Sequence, residues 1–387
     1  MAKTRLKKNK PLIVSVAVII TAVFLFGLFF LLSKLFPVQY NVKDMKNLTG
    51  NVVGPIPIVP PVMHIKTPTA VKAIYMTSCI ASAPSLRSKL VDLAVQTEIN
   101  SLVIDIKDYS GTVSIPSNDK TIQTDAKVGC KDPDIKDFIL SLHQKGIYVI
   151  GRITVFQDPY YSKLHPELAV KKASDGSVWK DYKGLSFIDV GAKPYWDYII
   201  KIGKQAIALG FDELNFDYIR FPSDGNMKDI SYSWAGDTEK KEALKLFFDY
   251  LRKGLGDDTV ISADLFGMTA TNTDDLNIGQ YLEYALEYFD YVAPMVYPSH
   301  FPPTWHGYEN PADHPYDVVH YSMERAFERA STTPEKLRPW LQDFSLGAVY
   351  TADMVREQIK AVYDVGLTSW MLWNASNHYT AEALLKN

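Results

Sequence analysis

Residues 210–222 read GFDELNFDYIRFP, the most informative stretch of the chain. The pattern over Asp212 to Asp217 is that of a short strand. Side chains alternate between two faces in a strand, so Glu213, Asn215 and Asp217 share one face while Leu214 and Phe216 share the other. Three polar side chains on one face of a buried strand are costly unless a site uses them. Arg220 follows just past the strand end, where a cation can meet a carboxylate or a ligand. Such a strand fits the inner wall of a parallel barrel and ends in a pocket.

Strand-like segments recur on either side of it, at Val71–Thr77, Ser101–Lys107, Tyr148–Ile153, Thr259–Leu265, Tyr291–Tyr297, Arg338–Gln342 and Ser369–Asn374. Between most of them lie amphipathic stretches: Ser85–Thr97, Asp134–Lys145, Tyr195–Leu209, Thr238–Gly254, Val318–Arg329 and Ala352–Val365. Gly146, Gly210 and Gly366 each stand between a helical stretch and the next strand, the position at which glycine terminates helices. Eight strands alternating with helices predict an α/β chain folded as a (β/α)8 TIM barrel. The rival is an open doubly wound sheet, whose first turn is glycine-rich. Here that turn is Thr77-Ser78-Cys79-Ile80-Ala81-Ser82, without glycine, so the barrel is the expectation.

A barrel builds its active site where its strands finish. The expected strand ends carry Asp105 and Lys107, Arg152, Asn215 and Asp217, Asp264, Met295 and Tyr297, Gln342 with Asp343, and Trp373 with Asn374. Asp105 and Lys107 share a face at i, i+2, and a structural ion pair involving Asp105 and either Lys107 or Arg152 is the plain alternative to a functional role. Asp217 and Asp264 end strands that are otherwise largely apolar, on neighbouring staves. Two carboxylates flanking one bond suit glycosidic cleavage, one ionised as nucleophile or base and the other protonated as acid. Arg220 or Arg152 would hold its aspartate ionised. The expected catalytic pair is Asp217 with Asp264. The expected substrate-binding residues are Asp105, Lys107, Arg152, Asn215, Arg220, Tyr297, Gln342 and Trp373. Tyr160, Tyr161, Trp179 and Trp305 are further aromatic candidates for stacking on sugar, although aromatics in a large domain usually belong to its core.

The chain before the barrel reads differently. Residues 1–11 carry five positive charges, Lys3, Arg5, Lys7, Lys8 and Lys10, and form a basic cytoplasmic segment. Residues 12–36 open with an uncharged run, Leu12 to Leu32, long enough to span a bilayer as a helix. The basic flank places the N-terminus in the cytoplasm and the barrel outside, on a single-pass membrane anchor. A cleaved signal peptide is the rival, but SKLFPVQY offers no small-residue cleavage site. Residues 37–70 are proline-rich and read as an extended linker; residues 71–387 are the barrel. Removing the five cytoplasmic positives from the formal charge of −3 leaves −8 for the remainder, which argues against nucleic acid or anionic lipid as its partner. Cys79 and Cys130 can pair in an oxidising compartment or stand as two thiols, since spacing does not fix a disulfide.

The segments VKAIYMTS, NSLVIDIKDYSGTVSI, GIYVIGRITVFQDP, FIDVGAKPYWDYI, GFDELNFDYIRFPSDG, YVAPMVYPSHF and LRPWLQDF together resemble the DUF4015 family of glycoside hydrolase barrels, related to the amylase-like hydrolases. The resemblance covers most of Val71 to Tyr379. It implies a nucleophile aspartate at the end of strand four, an acid at the end of strand five and a third carboxylate at the end of strand seven, which fall on Asp217, Asp264 and Asp343. Strand five normally supplies a glutamate, and Asp264 is one methylene shorter. Asp343 alternates out of phase with Trp340 and Gln342. The acid is therefore Asp264 or Asp343 on this reading.

Other chemistries are less well served. Strand one has no paired histidines for a hydrolytic metal, and His300, His306 and His314 lack ligand spacing. No GxSxG elbow, phosphate loop or calcium loop appears. No cofactor or metal is expected. The expected function is a membrane-anchored extracellular glycoside hydrolase acting on a cell-wall or matrix polysaccharide, with a non-catalytic glycan-binding barrel as the alternative and a polysaccharide deacetylase as a third, weaker option.

Overall fold

The computed structural model describes residues 62–122 and 129–387, so the expected basic segment, the expected membrane anchor and most of the expected linker lie outside the described residues. Among the described residues no helix is long and apolar enough to cross a membrane.

Eight strands close into one barrel: β1 (Lys72–Met76), β2 (Ser101–Lys107), β3 (Tyr148–Thr154), β4 (Glu213–Asp217), β5 (Val260–Phe266), β6 (Tyr291–Met295), β7 (Trp340–Gln342) and β8 (Trp370–Trp373). Each pairs in parallel with its neighbours in sequence, and β8 returns to β1. All eight expected strands are present. The expected helices appear at Pro84–Gln96, Ile135–His143, Lys193–Leu209, Lys240–Leu255, Pro315–Ala330 and Ala352–Asp364, and Leu282–Tyr288 supplies the helix between β5 and β6 that the sequence pattern did not reveal. Gly210 stops its helix in the left-handed region at φ 111°, a conformation open to glycine at no steric cost.

The strand alternation sorts the core into two compartments. Residues such as Leu214, Phe216, Ile261 and Leu265 face outward and pack against the helices. Ala73, Tyr75, Val103, Tyr148, Ile150, Ala293, Trp340 and Met371 form a smaller apolar cluster inside the barrel. The remaining interior is polar: Glu213, Asn215, Asp217, Ser262, Asp264, Asp105, Arg152 and Arg338 are all buried. Thus the three polar residues of β4 do share the inner face. The last stretch of the expected linker is not a free tether. Ile65 donates its backbone N–H to Asp212 (2.9 Å), Thr67 meets the Tyr148 hydroxyl (3.0 Å), and Ile65 packs against the interior cluster. These residues meet the barrel beside the starts of β3 and β4, opposite the strand ends.

Cys79, in the short helix Ser78–Ala81, is disulfide-bonded to Cys130, 51 residues on. The bond settles the two open alternatives and ties the segment after β1 to the segment after β2. Closing a loop of this length in the unfolded chain stabilises the fold by about 4 kcal/mol in the chain-entropy description. We expect Cys79→Ser/Cys130→Ser to lower unfolding stability by roughly 2–4 kcal/mol. Urea unfolding with and without reductant checks this: wild type treated with reductant should match the variant, and unchanged stability in both would remove the bond from the list of stabilising features.

Candidate active site

Arg152, at the centre of the barrel mouth, gathers the acidic strand ends. Its Nη1 donates to Asp105 Oδ1 (2.7 Å), its Nη2 bonds Asp217 Oδ2, and its Nε lies 3.9 Å from Asp264 Oδ2. Register explains the convergence: Asp105 pairs with Arg152 across β2–β3, and Arg152 with Asn215 across β3–β4. Burial disfavours the Arg152 charge, but Asp217 and Asp105 more than restore it and hold its pKa well above the usual value. Behind it the Tyr75 hydroxyl donates to Asp105, and burial pushes the Asp105 carboxyl up to about 6 against the pull of Arg152.

Asp264 is held differently. Its Oδ1 accepts from Asn215 Nδ2 (2.8 Å) and Trp340 Nε1 (2.7 Å). Burial first, and then the charge of Asp217, push its pKa up to about 8, so it carries a proton at neutral pH. With two N–H donors on Oδ1, the proton belongs on Oδ2, the oxygen nearer Arg152. Asp217, by contrast, accepts from Arg152 and from the backbone N–H of Tyr218 (2.6 Å), which are partners for a carboxylate rather than an acid. Tyr218 adopts φ 51°, a left-handed conformation uncommon for a side-chain-bearing residue, immediately after the strand.

A cavity of about 520 Å³ opens over this pair. Arg152, Asp217, Asp264, Tyr218, Arg220, Tyr297, Trp340 and Trp373 are among its lining residues. Trp373 stacks on Tyr75 (centroids 4.0 Å apart) and meets the edge of Trp340 (5.5 Å). Burial, then Asp264 and Asp217, push the Tyr297 hydroxyl well up, so it stays a donor throughout the physiological range. Among the described residues no three His, Cys, Asp or Glu side chains converge as a metal site.

Several expected site residues sit elsewhere. The β2–β3 register shifts between Asp105 and Lys107, and Lys107 is sealed against Asp158 (2.9 Å) and the Thr154 carbonyl (2.7 Å). The i, i+2 rule therefore fails for this pair, and Lys107 does not line the cavity. Gln342 is fully buried, accepts from the Ser299 backbone and donates to the Phe344 carbonyl, so it fixes loops rather than lining the mouth. Asp343 caps Thr380 through both carboxylate oxygens and is likewise outside the lining, so of Asp264 and Asp343 it is Asp264 that lines the cavity. Asp105 and Asn215 act from behind Arg152 and Asp264. Trp179 is core; Tyr161 packs with Tyr195 and Tyr198 away from the mouth.

Other lining residues were not singled out in sequence. Trp340, Gln157, Asp181, Lys183 and Phe266 all line the cavity. Period two along β7 places Trp340 on the same face as Gln342, a signal that was available. Asp181 and Lys183 come from the long segment after β3, whose Lys171–Lys172 pairs with Ile230–Ser231 of the segment after β4 and which has no periodicity to mark it.

The model of the DUF4015 family, described as a putative glycosyl hydrolase domain, matches residues 73–379. The chain belongs to this family. Its barrel is therefore a glycosyl hydrolase domain, and its solved neighbours include glycoside hydrolase barrels. The glycoside hydrolase domain of PgaB (BpsB) from Bordetella bronchiseptica is 16% identical over 81% of this chain and 97% of its own, with a TM-score of 0.59. Alpha-L-fucosidase isoenzyme 2 from Paenibacillus thiaminolyticus is 11% identical over 82% of this chain and 47% of its own, with a TM-score of 0.54. At these identities the likeness is one of fold. A hypothetical protein from Ruminiclostridium thermocellum ATCC 27405 is 36% identical over 53% of this chain and 98% of its own, with a TM-score of 0.45. Among curated proteins, none matches the chain in sequence.

Proposed function

We propose that the barrel hydrolyses a glycosidic bond in a cell-wall or matrix polysaccharide, with Asp264 as general acid and Asp217 as its ionised partner. The observation that carries this reading is the difference in environment between two neighbouring carboxyl groups. Asp264 is buried, bonded to neutral donors and protonated up to about pH 8, while Asp217 is salt-bridged to Arg152. That is the division of labour glycosidic cleavage requires. Asp264 gives its proton to the leaving oxygen. Asp217 then either attacks the anomeric carbon or takes a proton from the attacking water. The anomer of the first-formed product, followed by NMR, separates the two: retention for direct attack, inversion for water. We further propose that residues 12–36 anchor the chain in the membrane with the barrel outside the cell, as the basic flank and apolar run imply. Topology mapping with a reporter fused at either end tests that part.

The primary test is reducing-end release from a panel of purified wall and matrix glycans by the full chain. Release establishes the reaction class. Saturable glycan binding without release would favour a receptor built on the same cavity.

A pH dependence follows. Because the acid must be protonated, kcat/KM should fall above an apparent pKa near 8. Removing the Asp217 charge removes one of the forces raising that value, so the Asp264 titration should move down in Asp217→Asn. Carboxyl-carbon NMR of the labelled chain reads this shift; an unmoved or upward-moving Asp264 resonance would contradict the coupling.

A further inference from the structure

Three arginines are buried within the barrel and its mouth, and they are not equally paired. Arg152 is bound by Asp105 and Asp217, and Arg338 by Glu213 (2.9 Å). Arg220 is only 7% exposed, yet no carboxylate among the described residues lies within 4 Å of it. Its one hydrogen bond among them runs from Nη1 to the Phe221 carbonyl (3.0 Å). Among the described residues Nε and Nη2 have no hydrogen-bond partner, and unlike the sealed Nε and Nη2 of Arg338 they keep some exposure, on a residue that lines the cavity. The guanidinium is held in place by rings rather than by charge: Phe266, Tyr218 and Phe187 lie 4.9, 5.2 and 5.7 Å from it.

A buried cation without a counter-ion is costly, and the cost is recovered when an anion arrives. Nearby acids do not fill this role. Asp217 is committed to Arg152. Asp181 directs Oδ1 to the backbone N–H groups of Lys183 (2.9 Å) and Leu185 (2.8 Å), and Asp224 is exposed at the rim. Lys183, also exposed, adds a further cation to the cavity lining. Burial lowers the Arg220 pKa despite the Tyr218, Asp217, Asp224 and Asp181 contributions, in keeping with an uncompensated charge.

We infer that Arg220, supported by Lys183, is a subsite for an oxyanion substituent on the sugar, so that the substrate is a carboxylated or phosphorylated glycan rather than a neutral one. The inference rests on the glycan-hydrolase reading and narrows it to a substrate class. The planar fork of the guanidinium suits either oxyanion. Recognition is confined to one sugar unit. The rest of the chain outside the N-terminal segment carries excess negative charge, so it does not attract polyanions at large, and a partly buried pair is screened little by salt.

The test measures binding by calorimetry to the full chain. One arm compares an oligogalacturonide with its carboxyl-reduced, neutral counterpart; a second compares glucose 6-phosphate with glucose. The expected result is at least tenfold tighter binding of one anionic member over its neutral partner. That preference should persist at 0.3 M salt, vanish in Arg220→Gln and be partly retained in Arg220→Lys. Which arm responds tells carboxylate from phosphate. Equal binding of charged and neutral members, a preference that survives Arg220→Gln, or no binding in either arm would overturn the anion subsite. Glycan hydrolysis in the panel assay, scored separately, would still stand in each of those cases. Loss of hydrolysis with the preference intact would instead count against the enzyme and leave the subsite.

Discussion

Asp264→Asn should lower hydrolysis of natural glycans by roughly 10³-fold while leaving the barrel folded. The amide is nearly isosteric with the protonated carboxyl that wild type holds at neutral pH, and its oxygen can take the Asn215 and Trp340 donors that now reach Oδ1. What it lacks is a transferable proton. The defect should therefore depend on the leaving group. A sugar joined to an acidic phenol departs without protonation, so Asp264→Asn should recover much of its rate on such a substrate. Asp217→Asn should be at least as impaired and should not recover with the better leaving group, because it fails at attack rather than at departure. Steady-state kinetics on a natural glycan and an aryl glycoside, with circular dichroism to confirm folding, decide the matter. Equal rescue of both variants would reverse or dissolve the assigned roles, and full activity in Asp264→Asn would remove it from the mechanism.

The same substitution carries a stability signature whose sign is fixed. The ordinary aspartate pKa is about 3.9, and in the folded chain Asp264 is raised to about 8. Between those values the folded state keeps a proton that the unfolded chain releases. Stability from this group is full at acid pH and is lost as pH rises through about 8. Asp264→Asn does not titrate, so its stability relative to wild type should improve from pH 5 to pH 9. A site residue that costs stability where it works is consistent with a role in chemistry rather than in folding.

How much of this was legible in sequence depends on what set each feature. The barrel came from periodicity: eight alternating segments and glycines at helix ends are local signals, and the strands fell within a few residues of where they were read. The GFDELNFDYIRFP stretch put Asn215 and Asp217 on one inner face, and so they are, because strand alternation held through β4. Alternation failed at Lys107, where a register shift breaks the period within β2 and no residue type announces it. It was also silent on Trp340 as a donor to Asp264, since a tryptophan on a buried strand reads as core until its indole N–H is seen to need a partner. The pairing of Cys79 with Cys130 was open because proximity across β1 and β2 is a property of closure, not of spacing. The contributions of Asp181 and Lys183 depend on a long excursion after β3 folding back over the mouth, and nothing local encodes that return.

Glu213 tests the opposite case, a polar residue of the same strand face that belongs to the fold. It lies three layers below the mouth of the site in hydrogen-bond terms: Asp264 to Asn215, Asn215 to Ser262 (3.1 Å), and Ser262 to Glu213 (2.6 Å). Its carboxylate accepts both contacts of Arg338 Nη1 (2.9 and 3.1 Å) and the Tyr148 hydroxyl (3.1 Å), with both charged partners essentially inaccessible. Arg338 lies 3.8 Å from the Tyr291 ring, while its Nε and Nη2 find no partner. Neutralising the acid by Glu213→Gln strands that cation in the barrel and should cost about 3–5 kcal/mol of stability. Removing both charges together, in Glu213→Leu/Arg338→Met, should cost far less than the two single changes added, because no unpaired charge is left behind. Chemical unfolding of wild type, Glu213→Leu, Arg338→Met and the double variant gives the coupling directly. Strict additivity would mean that the two residues are stabilised by separate partners. A coupling of several kcal/mol would show that the polarity of the β4 inner face is divided, its lower part spent on closing the barrel and its upper part on the carboxylate pair.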